Sequence, residues 1–177
     1  MIIETVRQQL QGLFPASPEA APITGGLDAQ EGQKVEKGGK EAPRVDGIIE
    51  RNYAERGYHL DVQLAPDQLL AAVGILFDCG FFIETITGVD WIKDQQIEAV
   101  YDFSRYDFDL CRIVLRTRTP RSQPVLPTIT GIYTGANWHE RETHDFFGIV
   151  FQGHPHLIPL LLPEDADFHP LLKDFKA

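Results

Sequence analysis

The sequence predicts an α+β fold: a mostly antiparallel sheet with helices packed on one side, followed by an extended C-terminal tail. Three observations point there. Runs with strand alternation recur, such as Leu60, Val62 and Leu64 set against polar neighbours. Several of these runs are joined by short polar connections, which suit antiparallel neighbours. Helical periodicity interrupts them around Leu69 to Phe77 and Trp138 to Phe147, so helices and strands form separate layers.

Taken in order, residues 1–14 predict an amphipathic helix, because Ile3, Val6, Leu10, Leu13 and Phe14 recur at helical spacing. Pro15 and Pro18 end it. Residues 15–47 are rich in Gly, Pro, Lys and Glu and nearly lack large apolar side chains. Such a segment buries too little surface to offset its ordering entropy, so it reads as a flexible insertion. Residues 48–155 carry the folded domain. "IIERNY" and "YHLDVQLA" read as strands, and Asp67 as the N-cap of a helix through Leu69, Leu70, Val73, Leu76 and Phe77, closed by Gly80. "FFIETITGVDW", "IEAVYDFS" and "LCRIVLRT" read as three further strands. "TPRSQPVLPTIT" holds three prolines and reads as a loop, with a brief helix near Ile129 to Tyr133. A helix from Trp138 to Phe147, a short strand and turn in "GIVFQGHP", and a proline-punctuated tail over 156–177 complete the chain.

Composition excludes several function classes. With 43% hydrophobic residues in 177 the chain is ordinary globular material. It has no apolar run long enough to span a bilayer and no signal-peptide pattern at its start, so a cytoplasmic location is expected. A net charge of −10 argues against nucleic acid or an anionic membrane as partner. Arg112, Arg116, Arg118 and Arg121 cluster against that background, either to face an acidic partner or as the solvated face of a strand. Cys79 and Cys111 are too few and too far apart for a zinc ribbon or an iron–sulfur cluster, and read as buried small hydrophobes.

The densest cluster of ionisable groups is "NWHERETHDFFGIVFQGHPHL". A zinc-hydrolase helix needs histidines four apart on one face. His139 and His144 are five apart, roughly 140° around the helix, so they point to different sides. His154 reads as a turn histidine bonding a backbone carbonyl. Asn137 and Glu140 fit a capping box, with Gly148 closing the helix. Trp138, Arg141, Glu142 and Asp145 fall on one stripe. That stripe is either a solvated face or a buried polar one, paired internally or across a subunit boundary. No nucleophile, phosphate loop or cofactor motif stands beside it.

The same residues resemble a family signature. The form E-R-E-x-x-D-x-x-G-I-x-F-x-G-H-P-x-L is met by Glu140, Arg141, Glu142, Asp145, Gly148, Ile149, Phe151, Gly153, His154, Pro155 and Leu157. It is the signature of the 30 kDa subunit of the respiratory-chain NADH dehydrogenase, the NADH:quinone oxidoreductase called complex I. The resemblance continues through "TGVDW", "EAVYDFS", "VLPTITGIYTGANW", "LLPED" and "HPLLKDF", and covers roughly residues 48–175. It implies a cofactor-free structural subunit on the peripheral arm of a membrane-bound, ion-translocating enzyme, on the cytoplasmic side. The implied partners are the quinone-site subunit related to the hydrogenase large subunit (49 kDa-type) and the small iron–sulfur subunit, with the membrane arm contacted indirectly. Those neighbours, not this chain, carry the iron–sulfur clusters and the quinone. Trp138, Glu140, Arg141, Glu142, Asp145, Gly148, Gly153, His154, Pro155, Asp165, Lys173 and Asp174 become a structural network and partner contact, with no catalytic or metal-binding residue among them. Two departures stand out. Ile158 and Pro159 replace two basic residues, and Leu172 replaces an arginine. They keep a second branch open, the equivalent subunit of energy-converting [NiFe] hydrogenases, which use ferredoxin or carbon monoxide to reduce protons.

Overall fold

A computed structural model describes residues 2–14, 44–107 and 110–176. The expected flexible insertion therefore lies, over 15–43, outside the described residues. Its expected end at residue 47 needs correction. Arg44 is mostly buried, with its guanidinium on the Glu98 carboxylate and on the Leu64 and Arg116 carbonyls, and Gly47 already begins a strand. One charged side chain that finds four acceptors brings the chain into the fold at Arg44, before the expected end of the insertion.

The five-stranded sheet runs β1-β2-β5-β4-β3, from β1 (Gly47–Glu50), β2 (Leu60–Leu64), β3 (Phe82–Trp91), β4 (Gln96–Arg105) and β5 (Cys111–Pro120). All pairings are antiparallel except β2 with β5, so the predicted α+β class holds. Alternation sorts the side chains. Leu60, Val62 and Leu64, Ile97, Ala99, Tyr101 and Phe103, and Cys111, Ile113 and Leu115 all turn to one buried face.

Three helices cover that face: α1 (Ile2–Gln11), α3 (Leu69–Asp78) and α4 (Ala136–Phe147). α1 belongs to the core, with Val6 and Leu10 completely buried. Gln68 ties it in, donating from Nε2 to the Leu13 carbonyl at 2.8 Å while its Oε1 accepts from the Ala65 amide. Asp67 does not cap α3. It sits exposed in a short 3-10 turn, Pro66–Gln68, whose glutamine supplies the capping contact instead. The cysteines are both free. Cys111 is buried, whereas Cys79 is only half-buried and reaches Gln9 Oε1 at 3.2 Å.

Three other expectations need correction. "IIERNY" stops being a strand at Glu50, because the Asn52 side chain accepts from the Ala54 amide and starts the one-turn helix α2 (Tyr53–Arg56). The segment from Ile129 to Tyr133 is a hydrogen-bonded turn, not a helix. The proline-rich loop contains a strand, β6 (Val125–Pro127), paired in parallel with β7 (Val150–Gln152). Its prolines are tolerated because the pairing uses the Pro124 carbonyl and the Thr128 amide at the strand's ends.

Two glycines set where α4 lies. A Cβ on Gly88 of β3 would come within 2.3 Å of the Phe147 ring, so only glycine admits the helix this close. Gly148 ends α4 with φ of 76° and has the His169 ring against it, where a Cβ would meet ring atoms at 2.7 Å.

Candidate functional site

The signature helix α4 is the hub on which the C-terminal tail is fastened. Glu140 lies entirely inside the protein. Its Oε1 accepts from the Ile129 amide at 2.8 Å and its Oε2 from the Thr128 hydroxyl at 2.5 Å. The expected capping box is therefore absent. Gly135 is the N-cap and makes no side-chain bond, and Glu140 turns inward to hold the exit of β6. Burial pushes its carboxyl up to about 7, against the lowering effect of those two donors.

The expected stripe separates into different environments. Trp138 is 62% exposed and Glu142 is exposed, so neither belongs to a buried network. Arg141 and Asp145 do not pair with each other; both grip the tail. Arg141 donates from Nε to the Ile158 carbonyl at 3.0 Å and from Nη2 to the Pro159 carbonyl at 2.9 Å, with its guanidinium 5.4 Å from the Trp138 ring centre. Asp145 Oδ2 accepts from three consecutive amides, Leu160 at 2.8 Å, Leu161 at 2.7 Å and Leu162 at 3.1 Å. Burial alone would raise its carboxyl, but those amides outweigh it and hold the group below the usual carboxylate value. One turn of helix thus presents a cation to backbone carbonyls and an anion to the next backbone amides.

His154 bonds the Asn137 carbonyl through Nε2 at 3.3 Å, and its Nδ1 accepts from the His156 amide at 3.0 Å. Gly153, with φ of 85°, and the exposed Pro155 shape this turn. Beyond it the tail has no helix or strand among the described residues, yet it lies along its own domain. His169 Nδ1 bonds the Asp145 carbonyl and the Leu171 amide bonds the Phe146 carbonyl. The tail's far end is fixed by Asp90, a buried carboxylate at the end of β3. Asp90 accepts from the Lys173 amide at 2.8 Å and from Arg121 at 3.0 and 3.2 Å. Arg121 also pairs with Asp174. Asp165 and the Lys173 side chain are exposed.

Asp90, Thr128 and the Ile129 amide are members of the site that the sequence reading missed, and Arg121 stood out in the sequence only as part of the arginine cluster, not as a holder of the tail. For Asp90 a signal existed. Alternation puts it on the apolar face with Ile86 and Gly88, where a carboxylate must have partners. The arginine cluster resolves in a way neither expectation captured. Arg112 pairs with Glu84 at 2.6 Å, Arg116 with Asp61 at 2.9 Å and Arg118 with Glu98 at 2.9 Å, so carboxylates of this chain already answer the patch. Among the described residues, no three His, Cys, Asp or Glu side chains are grouped to hold a metal ion. No helix among them is long and apolar enough to cross a membrane.

Comparison with known proteins converges on one group. Residues 62–177 match the family described as "Respiratory-chain NADH dehydrogenase, 30 Kd subunit". An NADH-quinone oxidoreductase subunit from Roseiflexus sp. is 44% identical over 120 residues, 65% of this chain and 68% of the relative. A subunit of the F(420)H(2) dehydrogenase from Methanosarcina mazei is 40% identical over 94 residues, 52% of this chain and 59% of the relative. Among solved structures, a chain of the membrane-bound sulfane sulfur reductase, an archaeal respiratory membrane complex, superposes with a TM-score of 0.63 at 28% identity. That superposition covers 73% of this chain and 77% of the other.

Proposed function

The chain belongs to the family of the respiratory-chain NADH dehydrogenase 30 kDa subunit, and we propose on that premise that it is a cofactor-free structural subunit of a membrane-bound complex I-type NADH:quinone oxidoreductase coupled to ion translocation. Its task is to hold partner chains in register on the peripheral arm, at the cytoplasmic side. The partners are a hydrogenase-large-subunit-like (49 kDa-type) chain and a small iron–sulfur chain. Those chains carry the clusters and the quinone.

The observation that carries this reading is how the tail is held. Arg141, Asp145 and Asp90 bind it through its backbone, and His169 and Asp174 add side-chain contacts, which leaves several of its large apolar side chains unused in fastening it. Leu161 is 60% exposed, and Ile158, Phe168, Leu171 and Phe175 are exposed too, as is Trp138 on the helix beneath. A preordered segment with outward apolar side chains suits docking, because its ordering cost is met before a partner arrives. Gly148, Gly153, His154 and Pro155 shape the path, and Glu142, Asp165, Lys173 and Asp174 add charge along it.

Two observations weigh against tying the chain to NADH alone and are compatible with a second reading, the equivalent subunit of an energy-converting [NiFe] hydrogenase. Two of the similar proteins are named for F(420)H(2) and for sulfane sulfur rather than NADH. Ile158, Pro159 and Leu172 also place apolar side chains where the resemblance leads one to expect positive ones. Purifying the chain natively from its host membranes, through an N-terminal tag, tests both. Co-purification with quinone-site and NADH-linked subunits in fixed proportion establishes the first, and a nickel-ligating large subunit the second. Recovery of the chain alone overturns both.

A further inference from the structure

Glu140 and His154 face each other inside the protein with neither side chain exposed, Oε2 and Nε2 lying 4.0 Å apart, and they are not an ion pair. The hydrogen bonds decide where the protons are. His154 Nδ1 accepts from the His156 amide, so it carries no proton. The ring's proton is therefore on Nε2, directed at the Asn137 carbonyl. The ring is neutral, as its burial also favours. Glu140 has two donors but no cation. A bare carboxylate there would be an uncompensated buried charge, costing several kcal/mol. The Thr128 hydroxyl, 2.9 Å from that of Thr130, has another oxygen to donate to and can accept from a protonated Glu140.

The elements packed around the pair bring no compensating charge. On α4, Arg141 is turned onto the Ile158 and Pro159 carbonyls, and His144 Nδ1 bonds the Ile149 carbonyl. The exit of β6 offers the Thr128 and Thr130 hydroxyls, and the exit of β7 offers His154 and His156. From β4 comes the Tyr101 hydroxyl, buried and without a partner among the described residues. None of these sets a fixed positive charge against Glu140.

We propose that Glu140 keeps a proton in the folded chain up to neutral pH, and that this proton locks the Gly153–His156 turn at the root of the tail. When Glu140 gives the proton to solvent, the new carboxylate draws the His154 Nε2–H away from the Asn137 carbonyl. The ring rotation that allows this lifts Nδ1 off the His156 amide, and the turn loosens. Only the consequence for docking rests on the proposed function; the lock is a property of the chain alone.

The test uses the full-length chain from about pH 5.5 to 8.5, a window that separates a raised carboxyl from ordinary ones. Infrared difference spectra are expected to show a protonated carboxyl signal that vanishes near neutrality and is missing in Glu140→Gln. Exchange at the His156 amide is expected to accelerate across that window beyond the tenfold per pH unit of base catalysis, and to keep the base-catalysed slope in Glu140→Gln. If Glu140→Gln does not fold, Thr128→Val replaces it. Thr128 touches Glu140 in either protonation state, so its removal must displace the midpoint of the carboxyl signal. A signal that titrates in the ordinary carboxylate range, His156 exchange on the base-catalysed slope in wild type, or an unmoved midpoint in Thr128→Val overturns the proposal. All readouts are made without partners, so failed assembly leaves this inference standing, and a failed lock leaves the assembly role untouched.

Discussion

At the scale of single residues, the acidic side chains beneath the tail make opposite demands. Asp145 is lowered by the amides of Leu160 to Leu162, so it stabilises the fold above the unfolded carboxylate range, and that contribution is lost as acid protonates it. Glu140 is raised to about 7, so the stability tied to its proton is full below the unfolded value and is lost as pH rises through neutrality. Asp145→Ala leaves three tail amides without an acceptor and is expected to cost on the order of 3 kcal/mol. Urea titrations of the variant and wild type at neutral pH measure that difference, and an unchanged midpoint would mean the tail contributes nothing to the fold. Arg141→Ala is expected to leave the urea midpoint nearly in place, because it removes contacts to carbonyls that water can replace, but to reduce recovery of the intact complex from membranes. Wild-type assembly with lost turnover would instead point to chemistry at Arg141. Sequence reading found Arg141 and Asp145 but not what they hold. Spacing reveals which residues share a helix face, not that the partner of both is a backbone segment 15 to 18 residues further on.

At the scale of elements, legibility follows the strength of the period. α1, α3 and strands β3 to β5 carry long, clean patterns and are readable. β6 and β7, of three residues each, have no room to show one, and prolines mask the first. Glu140 misleads for another reason. The spacing that makes a capping box also points a side chain inward one turn into the helix, and burial decides between them. The contact of α4 with β3 gives a prediction of its own. Gly88→Ala forces the Phe147 ring aside and is expected to destabilise the chain by about 1–3 kcal/mol. Phe147→Leu in the same chain should recover part of that loss, and a denaturant series on the two single variants and the double one checks it. Equal losses in single and double variants would show that the ring is not what the new methyl meets.

At the scale of the whole molecule, the sheet divides the work. One face is buried under α1, α3 and α4. On the other, Arg112, Arg116, Arg118 and Arg44 are answered by Glu84, Asp61 and Glu98. That self-neutralised face is a poor dock, since a partner would have to break existing pairs to gain new ones. The tail is the opposite case: backbone contacts hold it to its own domain, and Leu161, Phe168, Leu171 and Phe175 are left exposed. Removing residues 158–177 should therefore separate folding from assembly. Leu172 packs only partly against the core, so the sheet and its helices should persist, with unchanged far-ultraviolet circular dichroism and a lowered melting temperature. Co-purification of partner subunits should be lost. A truncated chain that still assembles in full proportion would move the docking surface elsewhere. A truncated chain that cannot fold would mean that Asp90, Arg121 and Asp145 use the tail as part of the core, and that the exposed leucines and phenylalanines are incidental to it.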